Sequence, residues 1–209
     1  MKVLILTDSL SIPREEFKEW DKLYVSLLKK RFPNFEFIYF AFGKATTSLF
    51  VQQVSRYYKY IAPDIVILQC GIVDCTPRFV KKIESQIIQK FKLNFIFTDK
   101  VKTFIRKHRN YCYVNPVRYE DNINRLKKLF SEADFLTIGI LSANDAYENK
   151  IKGIRDIINQ YNSILEKTTS LIDMNSFPKD GYCSDNVHMN EKGHLFVYKA
   201  LEKVLEKYE

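Results

Sequence analysis

Five short apolar runs, Lys2 to Thr7, Phe35 to Ala41, Asp64 to Gln69, Phe135 to Leu141 and Ser170 to Met174, punctuate this chain. Each is rich in Val, Ile, Leu or Phe and lacks an alternating polar face, the pattern of strands covered on both sides. Between them apolar residues recur at helical spacing: Phe17, Trp20, Leu23, Tyr24, Leu27 and Leu28, then Leu49 to Tyr60, then Ile123, Leu126, Leu129 and Phe130, then Ile151 to Leu165, and finally Gly193 to Tyr208. Strands alternating with helices over short links predict an α/β fold, a five-stranded parallel sheet sandwiched between helix layers. With 209 residues the chain has material for one ordinary core and is short for two, so residues 1–209 are expected to form a single domain. Such sheets place their sites at the carboxyl ends of the strands. Ser9, Gly43, Gly71 and Asn144 each follow a predicted strand, which gathers them on one rim.

Local signals set the boundaries. Ser11-Ile12-Pro13 reads as the cap and first turn of the first helix, Pro33-Asn34 as its end, and Pro63-Asp64 as the lead into the third strand. The stretch from Phe79 to Tyr111 is longer than a crossover needs. Val80, Ile83, Ile87 and Phe91, then Val101, Phe104 and Ile105, give it two amphipathic helical patterns, with Leu93 to Phe97 between. It is read as an ordered, mainly helical insertion at about 78–112. From Thr76 to Cys112 ten bases face two acids, so the whole net charge of +8 resides here, and attraction to an anionic partner would originate in this segment. The insertion can serve as a lid, a substrate arm, a dimer interface or simply a solvated helical surface.

Other features narrow the class. The opening Met1 to Leu6 run ends at Thr7-Asp8 without a small-residue cleavage site, so it reads as a strand rather than a secretion signal. No apolar stretch approaches the ~20 residues that span a bilayer, and a cytoplasmic protein is expected. Cys70, Cys75, Cys112 and Cys183 show no CxxC spacing and read as reduced, mostly buried thiols, with Cys183 the one near a candidate site. The three histidines form no ligand cluster, so no metal and no cofactor is expected. No groove-reading module accompanies the basic segment, and no nucleic-acid partner is expected.

Ser9 closes the first strand, and an Asp185-Asn186-Val187-His188 tetrad stands near the far end. A serine hydroxyl is a weak nucleophile unless an imidazole takes its proton and a carboxylate holds that imidazole in the right tautomer. Asp185 and His188, three residues apart, are neighbours in a helical turn, leaving one ring nitrogen to face the serine.

Thr7-Asp8-Ser9-Leu10-Ser11 resembles the Gly-Asp-Ser-Leu block of the SGNH (GDSL-type) hydrolases, and Asp185 to His188 resembles their C-terminal Asp-x-x-His block. Met189-Asn190-Glu191-Lys192-Gly193-His194 also resembles the run into that family's last helix. The resemblance covers the whole chain in element order except the insertion. It implies a three-layer αβα sandwich of flavodoxin-like SGNH hydrolase fold, with Ser9 as nucleophile, His188 as general base and Asp185 orienting it. It also implies an oxyanion hole made by the backbone N–H of Ser9 and of Gly43, plus a side-chain amide from a Gly-x-Asn-Asp block. That last block maps onto Gly71-Ile72-Val73-Asp74, where Val73 stands in place of the asparagine.

Valine donates no hydrogen bond, and losing one oxyanion donor costs about 10²–10³ in turnover. Arg78, just beyond the block, the substrate itself or a shifted side chain such as Asn144 can supply a donor, or the enzyme can be slow, or inactive and retained for binding. Asp74 and Asp8 are read as structural, and Thr7 replaces the first glycine of its block. His194 is read as packed or capping, and His108 has no identifiable carboxylate partner. The resemblance implies an acyl-ester hydrolase acting on O-acylated sugars or surface polysaccharide precursors, with a small-molecule or glycan substrate that can be anionic. Alternatives are an O-acyltransferase with the same residues, a non-catalytic glycan-binding or scaffold protein, and, weakest, a flavodoxin-like nucleotide binder, since Asp8 to Pro13 contains no glycine. Oligomeric state is left open.

Overall fold

The computed structural model describes residues 1–92, 97–109 and 111–209. Five strands, β1 (Lys2–Thr7), β2 (Glu36–Ala41), β3 (Ile65–Gln69), β4 (Asp134–Ile138) and β5 (Ser170–Ile172), form one parallel sheet in the order β2-β1-β3-β4-β5. β1 and β3 are buried almost throughout because they lie inside the sheet with helices over both faces. The helices are α1 (Tyr24–Arg31), α2 (Thr47–Arg56), α3 (Ile72–Cys75), α4 (Lys82–Lys90), α5 (Asp99–Arg109), α6 (Pro116–Leu129), α7 (Asp145–Lys150), α8 (Ile154–Thr168) and α9 (Glu191–Leu205). α1 packs on α9, while α2, α6 and α8 pack in succession. Right-handed crossovers put these two groups on opposite faces, which is the αβα sandwich. No described helix is long and apolar enough to cross a membrane.

The connections leaving β1 and β3 run in opposite directions across the sheet, so the switch point lies between these two strands, the place where such folds build their sites. Register puts Thr7 opposite Ala41 on one side and Gln69 on the other, so Ser9, Gly43 and Gly71 lie at matching depth beyond three adjacent strands. Arg78 pairs with Tyr111 through an antiparallel bridge, the Arg78 N–H donating to the Tyr111 carbonyl at 2.7 Å, which closes the base of the segment carrying α4 and α5. Of the linker expected from Leu93 to Phe97, residues 93–96 lie outside the described residues.

The start of the first helix corrects the sequence reading. Ser11 is not its cap and Pro13 not its first turn: α1 begins at Tyr24, and Ser9–Ser11 form a separate 3₁₀ turn. Ser11 is buried, its hydroxyl bonding Thr7 Oγ1 at 3.0 Å and Tyr39 Oη at 2.8 Å, so tertiary contacts claim the oxygen that a cap would use. β4 also ends earlier than expected, at Ile138, and two residues on Asn162 brackets Ile140 by accepting from its N–H and donating to its carbonyl.

Candidate active site

Ser9 is the first residue of the 3₁₀ turn that leaves β1. Asp8 caps that turn, accepting the Leu10 N–H at 2.9 Å, while its own N–H donates to Gln69 carbonyl at 3.0 Å and ties the turn to β3. Beneath it Thr7, Ser11, Tyr24, Tyr39 and Gln69 form a buried hydrogen-bonded layer. Burial pushes the Asp8 carboxyl up to about 7, opposed by the Leu10 N–H and reinforced by the charge of Asp74.

His188 arrives from the opposite end of the chain on a tightly held loop. Tyr182 and Met189 bridge its base, the Cys183 N–H donates to His188 carbonyl at 2.7 Å, and Asn190 donates to the carbonyls of Asp180 and Tyr182 while capping α9. Asn186 turns the loop at a left-handed φ of 63°, a conformation asparagine tolerates. Gly193 is required for close approach: a Cβ there would lie 2.4 Å from the Gly181 carbonyl.

The loop delivers His188 Nε2 to 3.0 Å from Ser9 Oγ. On the other side of the ring, Nδ1–H donates to Asp185 Oδ2. Asp185 Oδ1 accepts the N–H groups of Val187 and His188, both at 2.9 Å, which fixes the carboxylate relative to the ring. Burial opposes ionisation of Asp185, but these donors outweigh it and hold its carboxyl below the usual range. Burial is also the main influence on His188, lowering its pKa against the pull of Asp185, and the nearby Arg14 charge lowers it further. The imidazole is therefore neutral at neutral pH, with its Nε2 lone pair available as a base.

Arg14 is the residue the sequence reading missed. Its Nη2 donates to His188 Nε2 and lies 3.4 Å from Ser9 carbonyl. No spacing signal marks it, because its position depends on an irregular loop in which Arg14 and Phe17 exchange backbone hydrogen bonds at 2.8 and 3.0 Å.

Among the described residues neither Ser9 N–H nor Gly43 N–H donates to a protein acceptor, and no protein atom crowds the position of a Gly43 Cβ. Gly71 adopts φ +139°, and a Cβ there would meet Ile140 Cδ1 at 2.5 Å, so this loop needs glycine. Val73, on α3, is buried among core side chains. Asp74, fully buried, accepts Thr47 N–H at 2.9 Å and Thr47 Oγ1–H at 2.6 Å, which binds the loop after β3 to the start of α2.

The structure places Arg78 and Asn144 in other contacts. The Arg78 guanidinium donates to Val73 carbonyl at 3.2 Å and sits over the Tyr113 ring, 4.6 Å from its centroid. Asn144 caps α7 through Tyr147 N–H and donates to Asn186 Oδ1 at 2.8 Å, bracing the histidine loop. His194 is packed between Phe17 and Tyr24, with burial pushing its pKa down to about 4. His108 donates from Nδ1 to Phe104 carbonyl at 2.9 Å, one turn back in α5. Burial raises the Cys183 thiol, which donates to Met189 carbonyl at 3.3 Å and is a poor candidate nucleophile. A cavity of about 10 Å³, room for little more than one water, is lined by Leu10, Ile72, Leu141, Tyr147, Tyr182 and Val187, of which Leu10 and Val187 are chain neighbours of Ser9 and His188.

A scan against protein-family models finds no match, and a search of curated proteins finds none. Solved structures do match over the full length. A lipase/acylhydrolase from Enterococcus faecalis superposes with a TM-score of 0.70 at 12% identity, covering 99% of this chain and 96% of that one. A GDSL-like lipase from Bacteroides thetaiotaomicron gives 0.64 at 14%, covering 100% and 89%. An acetylxylan esterase from Geobacillus stearothermophilus gives 0.63 at 17%, covering 97% and 92%. Likeness this extensive in backbone and this slight in sequence is a shared fold, and the chain has the α/β fold of the SGNH (GDSL-type) hydrolases.

Proposed function

We propose that this protein is a serine-dependent acyl-ester hydrolase of the SGNH type whose substrate is an O-acylated sugar. The observation that carries the proposal is the Ser9–His188–Asp185 relay, assembled from opposite ends of the chain with the serine at 3.0 Å and the carboxylate locked on the far nitrogen. In this reading Ser9 Oγ attacks the ester carbonyl as its proton passes to His188 Nε2. The tetrahedral oxyanion is held by the N–H groups of Ser9 and Gly43. Collapse breaks the ester C–O bond, and His188 returns the proton to the departing sugar oxygen. Water then attacks the acyl-serine, its proton going to His188, and the acid is released as Ser9 recovers its hydrogen. The acetylxylan esterase among similar folds agrees with an acyl sugar.

Val73 favours a second reading, a slow or non-catalytic glycan-binding protein, because the third oxyanion donor is missing at its position. Intact mass after exposure to a serine-directed fluorophosphonate separates the two. One adduct on the native protein, lost in both Ser9→Ala and His188→Ala, is expected. A folded native protein that takes no adduct would sink the hydrolase. Deacylation rates with sugar acceptors against water distinguish hydrolysis from acyl transfer.

A further inference from the structure

Arg14 is a cation without a counterion at the reacting atoms. Arg31, Arg109 and Arg155 each hold a carboxylate, whereas among the described residues Arg14 forms no ion pair. Its Nε is buried and has no acceptor. The surrounding carboxylates form no ion pair with it: Asp185 is committed to His188 and two backbone N–H groups, Glu16 to Ser184, and Asp8 caps its own turn through Oδ1 while its Oδ2 has no hydrogen-bond partner. The side chain is not loosely placed, because the backbone exchange with Phe17 fixes its root and Phe17 is itself buried against His194, ring centroids 5.2 Å apart. A guanidinium stays charged at every accessible pH, so a half-buried, unpaired one is costly unless an anion is meant to meet it.

Its location says which part of a substrate that anion would belong to. His188 Nε2 hands its proton to the leaving oxygen, so a group touching Nε2 lies over the alcohol side of the ester rather than the acyl side. The same atom has a single lone pair, and two donors face it, Ser9 Oγ–H and Arg14 Nη2–H. In the free protein Arg14 therefore competes with the nucleophile for the base. We propose that Arg14 is the receptor for a carboxylate or phosphate on the alcohol portion of the substrate, and that pairing with this anion draws the guanidinium off His188 and releases the base to Ser9. This deepens the hydrolase reading and rests on it for the chemistry. It narrows the substrate class to acylated acidic sugars or sugar phosphates. Fork-shaped pairing of guanidinium with either oxyanion supplies the binding and removes the competitor in one event.

Binding without turnover tests it. Methyl glucuronide, glucose 1-phosphate and methyl glucoside are titrated separately into the full-length protein, with the His188 imidazole resonances and the affinity as readouts. At least one of the two anions should bind about tenfold or more tighter than the neutral glucoside, the size of one charge-assisted pairing, and should shift the His188 resonances. Which anion wins identifies carboxylate or phosphate. The preference should shrink with added salt in the native protein and disappear in Arg14→Gln. Equal affinity for all three, or a preference that survives Arg14→Gln, overturns the proposal. Fluorophosphonate labelling of the same samples reports the hydrolase reading separately. Labelling without anion preference rejects the receptor alone, and anion preference without labelling rejects the hydrolase alone.

Discussion

Replacing Asp185 with asparagine changes one atom and should reverse the polarity of the whole relay. The amide oxygen can still accept the Val187 and His188 N–H groups that Oδ1 now holds at 2.9 Å, so the loop keeps its shape. The amide nitrogen then points hydrogens at Nδ1, and the ring answers by moving its proton to Nε2. That tautomer cannot receive the Ser9 proton, and its Nε2–H also confronts the Arg14 N–H, donor against donor. For a deeply buried triad aspartate the equivalent swap costs about 10⁴ in turnover. Here the Asp185 side chain is 47% exposed, so water can relieve part of the mismatch, and a loss of about 10²–10³, or roughly 3–4 kcal/mol in barrier, is expected. The assay is kcat/KM on p-nitrophenyl acetate, with thermal unfolding alongside to show that the variant folds. Adding Arg14→Gln should deepen the loss rather than relieve it, because a glutamine oxygen that accepts from Nε2–H stabilises the inactive tautomer. A folded Asp185→Asn within about threefold of the native rate would refute the tautomer argument.

Three stability predictions accompany it. Asp8 holds its proton to about pH 7 when folded and sheds it near 3.8 when unfolded, so between these values the folded state binds the extra proton. Stability should therefore fall as pH rises through that window, by up to about 4 kcal/mol, and denaturant titrations of Asp8→Asn should show a flatter pH profile, with unchanged profiles contradicting the assignment. Thr47→Val removes the donor to Asp74 and the acceptor for Asn122 Nδ2, which lies 2.9 Å from Thr47 Oγ1, and should lower unfolding free energy by about 2 kcal/mol. Gly71→Ala forces a Cβ to within 2.5 Å of Ile140 at a left-handed φ and should cost about 2–3 kcal/mol in the same titration, whereas a neutral result would mean that the loop relaxes freely.

The strands could be read in advance because β1 and β3 are covered on both faces, which leaves an uninterrupted apolar run as their trace. Boundaries decided by tertiary contacts could not. Ser11-Ile12-Pro13 has the local chemistry of a helix start, yet Ser11 spends its hydroxyl on Thr7 and Tyr39, and the chain delays α1 to Tyr24. The same contrast runs through the site. Ser9, Asp185 and His188 belong to compact local patterns, and the structure brings Ser9 and His188 to 3.0 Å. Arg14 reaches the same atom through an irregular loop that leaves no periodic trace, while Arg78 and Asn144, plausible donors by position, are drawn to Val73, Tyr113 and Asn186.

Because Ser9 and His188, the proposed nucleophile and base, are 179 residues apart, the relay depends on distant parts of the chain coming together. α9 follows the histidine loop directly and packs on α1, and Arg31 at the end of α1 gathers Glu202, Glu206 and Glu209 across that seam. A chain still emerging during synthesis therefore carries a finished serine turn with no base to activate it. Clipping the last helix should likewise silence the serine without touching it. On the proposed reading, reactivity at Ser9 is a certificate of completed folding, issued only when the histidine loop and α9 have locked against α1.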